Sequence, residues 1–146
     1  MKNLFDAANK QEIVDRINKL TPESQAQWGK MNVSQMFAHN VLPMELALTN
    51  PKPPRQLMGR IFGGLVRNKV IGPEPFKKNG FTPKEFKVED EKKFYEEQKK
   101  LLGMVEVFTR ENITDTVHPF FGKMTQDEWG ELQYKHLDHH LQQFGV

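Results

Sequence analysis

Apolar residues in this chain recur every three or four positions, and no segment alternates convincingly as a half-buried strand would. That pattern restricts the fold to packed helices. Asn9 followed by Glu12 reads as a capping box, with Ile13, Val14, Ile17 and Leu20 as one apolar face to about Leu20. Thr21-Pro22-Glu23 is a restart signal for a short helical turn through Trp28. Asn32 with Gln35 is a second capping box. Behind it Val33, Met36, Phe37, Val41, Met44 and Leu48 predict a helix over residues 33–49. Pro43 lies inside that helix and cannot donate to the carbonyl of His39, so a kink is expected there.

Pro51-Lys52-Pro53-Pro54 then breaks the chain. Over 55–69, Leu57, Ile61 and Leu65 stand at helical intervals among Arg55, Arg60 and Arg67. Gly59, Gly63 and Gly64 each weaken a helix by roughly 1 kcal/mol against Ala, so close packing or irregularity is expected. A basic amphipathic segment can touch a membrane, but the glycines and short length favour an ordinary covering helix. Residues 71–88, with Pro73, Pro75, Gly80 and Pro83, read as an extended loop. A long helix at about 89–110 turns Phe94, Leu101, Leu102, Val105 and Phe108 inward. After a loop over 111–124, Thr125 with Glu128 caps a last helix, 126–144. The expectation is one all-α domain over 1–146, a four-helix bundle with long connections between helices 2 and 3 and helices 3 and 4.

Composition narrows the chemistry. There is no cysteine, which excludes disulfides, thiolate ligands and a cysteine nucleophile, and leaves imidazoles and carboxylates for metal binding. With 21 basic and 19 acidic residues the formal charge is +2, giving no electrostatic reason to expect nucleic acid as a partner. No apolar run approaches the ~18 residues of a membrane span, and Met1–Asp6 lacks the apolar stretch of a signal peptide. A cytoplasmic protein without a membrane partner is expected. Eleven Phe and seven Met point to a core of large, adaptable side chains.

The chemistry concentrates on the last helix. Trp129, Leu132, His136, His140 and Gln143 follow one another at steps of three and four, so His136 and His140 lie mid-stripe on an inward face. Imidazoles so directed must be hydrogen-bonded, metal-bound or exposed in a pocket. His136 with His139 is a second chelating pair by spacing, but 139 and 140 diverge by about 100° and both can hardly face one ion. His139 is therefore read as a boundary or supporting residue. His39, on the second helix, supplies a third imidazole, and helices packed ~8–10 Å apart suit ligands from both. Gln35 and Gln143 are candidates to orient imidazole or bound water. His118, in His118-Pro119-Phe120-Phe121-Gly122, is a candidate for substrate orientation or proton handling from a turn over the bundle mouth. A turn histidine anchored by its aromatic neighbours is the rival reading. No nucleophile elbow, P-loop or dinucleotide fingerprint is present.

Three segments together resemble the DinB/YfiT-like superfamily of metal-dependent enzymes, closest to a branch known as a domain of unknown function. They are Trp28 through His39, His118 through Gly122, and Glu128-Trp129-Gly130 through His136-Leu137-Asp138-His139-His140-Leu141-Gln142-Gln143-Phe144-Gly145. The likeness spans nearly the whole chain. It implies a four-helix bundle, often a homodimer, with a divalent metal ion held by residues matching His39, His136 and His140. It also implies activation of water or a low-molecular-weight thiol against a small-molecule electrophile. The His-Arg-Gly-Gln of the thiol-transferase relatives is here His140-Leu141-Gln142-Gln143.

The expected function is thus a metal-dependent hydrolase or thiol transferase, with zinc, nickel, iron or manganese as the ion, because imidazoles alone discriminate weakly. A non-catalytic module binding a metal or small ligand, and a metal-free scaffold with buried histidines, are the alternatives.

Overall fold

Helices form where the apolar spacing predicts, and the caps decide where each begins. In the computed structural model, which describes residues 1–146, five helices run in the order α1 (Ala7–Lys19), α2 (Val33–Leu48), α3 (Leu57–Ile71), α4 (Phe94–Val107) and α5 (Gln126–Gln143). A 3₁₀ turn at Lys84–Phe86 precedes α4, and a hairpin of β1 (Val117–His118) and β2 (Gly122–Lys123) precedes α5. The helical expectation holds at the level of a predominantly helical fold, to which the structure adds one small antiparallel sheet. Two residues per strand are too few to show alternation.

Both site-bearing helices have reciprocal caps. Asn32 Oδ1 accepts from Gln35 N at 2.9 Å while Gln35 Oε1 accepts from Asn32 N at 3.0 Å. Thr125 and Glu128 repeat the arrangement at 3.1 and 2.8 Å. Each cap contributes about 1 kcal/mol and pins the phase of its helix. The first expected box does not form. Two alanines extend α1 back to Ala7, and Asn9 instead donates to the Asn3 carbonyl at 3.0 Å and Asp6 Oδ2 at 3.1 Å. Residues 21–28 form no helix, because Ser24 and Thr21 close a turn on each other. Helix α4 starts at Phe94 rather than near 89.

Helix α2 packs against α4 and α5, and α1 packs against the same two. Between them lie Ile13, Ile17, Met36, Phe37, Leu101 and Leu137, all buried. At about 1.5–3 kcal/mol per buried side chain, this packing rather than helix propensity holds α2 beside α5. Helix α2 continues through Pro43, whose carbonyl accepts from Gln133 Nε2 of α5 at 3.2 Å.

Helix α3 reverses the expected orientation. Leu57, Ile61 and Leu65 are exposed, and the buried side is Gly59 and Gly63, laid against the backbone of Phe120. A Cβ at Gly59 would come within 2.5 Å of the Phe120 carbonyl oxygen, so only glycine permits this approach.

Candidate metal centre

Helix α5 places His136 and His140 one turn apart, and α2 brings His39 up to both. The ring centroids stand 4.9 Å apart for His39–His136, 4.7 Å for His39–His140 and 4.8 Å for His136–His140, a nearly equilateral triangle. One nitrogen from each ring lies within 4.8 Å of the others. Four-coordinate zinc holds imidazole nitrogens at about 2.0–2.1 Å, which sets them roughly 3.3 Å apart. The His39 and His136 Nε2 atoms are 3.1 Å apart.

Hydrogen bonds orient two of the rings. His39 Nδ1 lies 2.7 Å from the Phe86 carbonyl oxygen, so Nδ1 carries the proton and Nε2 keeps its lone pair. His140 Nδ1 lies 2.8 Å from Gln143 Oε1. The amide of Gln143 is oriented in turn, since its Nε2 donates to the Trp28 carbonyl at 2.6 Å. His140 therefore also turns an Nε2 lone pair inward. Gly29 makes room for this chain of contacts: its φ is +83°, and a Cβ there would collide with Gln143 Nε2. His136 Nδ1 is buried with no partner, as are Gln133 Oε1 and Asn40 Oδ1 on the same two helices.

Burial drives every ring toward its neutral form. It pushes His140 down to about 3, with the neighbouring His39 and His139 adding to the effect and Gln143 opposing it. His136 lies well below its ordinary value through burial and then His140, His39 and His139. His39 is lowered by burial against the pull of the Phe86 carbonyl. No carboxylate counters any of the three. Neutral imidazole is the ligand form, so the cluster can accept a cation at neutral pH without first releasing protons. The donor set and spacing fit a divalent ion.

The flank of the site is aromatic and basic. Phe76 sets its ring against His136 and His139, at 6.2 and 5.8 Å. Trp28 stands 6.0 Å from His139. Lys78 Nζ lies 4.1 Å over Trp28, and Lys135 Nζ lies 4.5 Å over Phe76 while donating to the carbonyls of Gly72 and Glu74 at 2.7 and 2.8 Å.

Of the residues singled out in the sequence, His39, His136, His140 and Gln143 come together. His139 borders them, its ring 5.1 Å from His140 and directed to the aromatic flank. Gln35 does not join them: its oxygen serves the α2 cap and its Nε2 donates to the Asp90 carbonyl at 3.1 Å. His118 does not join them either. Its Nδ1 accepts from Phe120 N at 3.0 Å and Phe121 N at 3.2 Å, with its ring 5.2 Å from Trp129. Trp129 precedes His136 by seven residues, two turns or about 10 Å along α5. Phe86 and Phe76 carried no signal in the sequence: the first contributes a backbone oxygen and the second lies in a stretch without periodicity.

A predominantly helical protein with three neutral histidines converging from two helices, His39 and His140 buried and His136 half-buried, is the class that fold and site define. The family model described as "Protein of unknown function (DUF1569)" matches residues 2–145, and the chain belongs to that family. Neither the curated proteins nor the solved structures include a match to it. No helix is long and apolar enough to cross a membrane.

Proposed function

We propose that this protein is a metal-dependent enzyme of the DinB/YfiT-like superfamily, with α1, α2, α4 and α5 as its four-helix bundle. His39, His136 and His140 hold a divalent ion, and water or an exogenous thiol attacks a small electrophile beside it. The observation that carries this reading is the convergence of the three rings, two of them oriented by the Phe86 carbonyl and the Gln143 amide. Bound there, a divalent cation supplies Lewis acidity that lowers the pKa of a water or thiol.

The chain's own residues do the remaining work. Phe86 and Gln143 keep the Nδ1 protons of His39 and His140 outward, so both Nε2 atoms stay free as ligands. Phe76 stands beside His136, and Trp28 stands beside His139 at the edge of the cluster. Lys78, with no carboxylate beside the three rings, favours a substrate that is anionic or becomes so on activation. No cysteine is present, so any thiol arrives as a cosubstrate. His118 serves as the anchor of the hairpin turn in this reading.

The lack of a carboxylate positioned as general base also favours a second reading, a non-catalytic module that holds a metal or small ligand. Protein stripped with chelator and reloaded with zinc, nickel, iron(II) or manganese separates the two. Activated esters, and glutathione paired with an aryl halide, are the substrates. The enzyme reading expects turnover that needs the metal and disappears in His39→Ala. Stoichiometric metal binding without turnover in either panel supports the module, and failure to bind metal overturns the enzyme reading and leaves the module only as a holder of a small ligand.

A further inference from the structure

His39 and His140 each give their outward nitrogen a fixed acceptor, the Phe86 carbonyl and the Gln143 amide oxygen, whereas His136 Nδ1 has none. Of the four buried side-chain nitrogens and oxygens that lack a partner, three are His136 Nδ1, Gln133 Oε1 and Asn40 Oδ1. They fall on one seam. Gln133 precedes His136 by three residues and so shares its side of α5. Asn40 stands in the same relation to Pro43 on α2, and the Pro43 carbonyl accepts from Gln133 Nε2 at 3.2 Å. Both amide nitrogens are spent on backbone carbonyls, Asn40 Nδ2 on that of Met36 at 2.9 Å, so the oxygens are the ends left over. Asn40 is 0% exposed and Gln133 1%, which puts both out of reach of bulk solvent.

Buried polar atoms are nearly always partnered, by protein or by interior water. The chemistry of His136 selects the partner. His39 keeps a lone pair on Nε2, 3.1 Å from His136 Nε2, a separation at which one of the two nitrogens must donate. In the metal-free protein that donor is His136 Nε2–H, and Nδ1 is left as an acceptor. Once Nε2 serves as a ligand, the ring proton belongs on Nδ1, which becomes a donor. A carbonyl can meet only the second state. A water molecule meets both, because it donates and accepts, and the two amide oxygens take its hydrogens. A small cation held by those oxygens fits less well, since it would repel an Nδ1–H.

We propose that one interior water, held by Gln133 Oε1 and Asn40 Oδ1, partners His136 Nδ1 and lets that ring change tautomer when the site fills. The loaded half of this inference rests on the metal reading above. In the free protein the water donates to Nδ1 and to one amide oxygen. In the loaded protein it accepts from Nδ1–H and donates to both oxygens. The proton lost at Nε2 is matched by one gained at Nδ1, so the ring stays neutral throughout. Gln133 and Asn40 are positioning residues that act through the water.

The test is long-range proton–nitrogen NMR of the full chain with 15N-labelled histidine, in chelator and with one equivalent of zinc, beside water-selective cross-relaxation spectra. His136 should carry its proton on Nε2 in chelator and on Nδ1 with zinc, while His39 and His140 keep theirs on Nδ1. A long-resident water should cross-relax with the Gln133 and Asn40 side-chain amide protons in both states. Gln133→Met/Asn40→Leu replaces both oxygens by apolar groups of similar size, and should abolish the water signal and weaken zinc binding about 10–100-fold. The wild-type spectra decide the matter if that variant fails to fold. If zinc shifts the His39 and His140 nitrogens but no water is seen, or His136 holds its proton on one nitrogen in both states, this proposal alone is overturned. Wild-type zinc affinity in the folded double variant overturns it as well. Zinc that shifts none of the three rings overturns it together with the metal reading.

Discussion

Stability of the metal-free protein should fall steeply between pH 7 and pH 5, because its buried histidines cannot take up protons while folded. Burial, with Lys52 nearby, pushes His118 down to about 4, and His140 is down to about 3. An unfolded histidine titrates near 6.5. Across the interval the unfolded chain binds more protons than the folded one, so stability is full above about 6.5 and is lost as pH drops toward the folded values. Each ring contributes a loss of about 2 kcal/mol at pH 5, and the two together about 4 kcal/mol, a large part of a typical 5–15 kcal/mol. His39, His136 and His139 are lowered too and act in the same direction. Carboxylates held low, such as Glu12 and Asp115, act only below this window. The assay is urea unfolding in chelator at pH 7, 6 and 5. At about 2 kcal/mol per molar urea, the midpoint should drop by about 2 M or more. His118→Asn keeps a side-chain acceptor for the hairpin amides but removes one titrating ring, and should recover about 2 kcal/mol of the loss. A midpoint that does not move between pH 7 and 5 would refute the reasoning. An unchanged loss in His118→Asn would refute the place assigned to that ring.

Other outcomes test separate parts of the structure. Gly63→Ala sets a Cβ against the Phe120 carbonyl and should destabilise by about 1–3 kcal/mol in urea unfolding, whereas Gly64→Ala meets nothing and should stabilise by up to about 1 kcal/mol. Gln143→Leu removes the acceptor for His140 Nδ1 and the donor to Trp28, and calorimetry should show metal affinity reduced about 10–100-fold. Gln35→Leu should weaken metal binding far less, since Gln35 touches no imidazole, while costing about 1 kcal/mol of stability through the lost cap.

The parts of this fold that were legible in the sequence are those written in local spacing. The Asn32–Gln35 and Thr125–Glu128 caps, and the four-residue step from His136 to His140, place the ligands of α5 on one face and start both site helices correctly. Asn9 misled because the same residue pattern that caps a helix also serves inside a first turn, where two alanines already favour helix. The orientation of α3 was not legible from Leu57, Ile61 and Leu65, because periodicity identifies a face without saying which way it points. The informative residues were Gly59 and Gly63, which repeat at the same step on the other side and mark close backbone contact. Phe86 reaches His39 through its carbonyl, a group every residue has, so no residue pattern announces it. His118 and Gln35 were assigned to the site by type and proximity in sequence, but their hydrogen bonds are spent on a turn and a cap.

The claim on which the rest depends is that His39, His136 and His140 share one cation. Equilibrium dialysis of chelator-stripped protein against zinc or nickel, followed by metal analysis, tests it most directly when wild type is compared with His136→Ala. One ion per wild-type chain and none retained by the folded variant is the predicted result. Equal metal content in the two would contradict it.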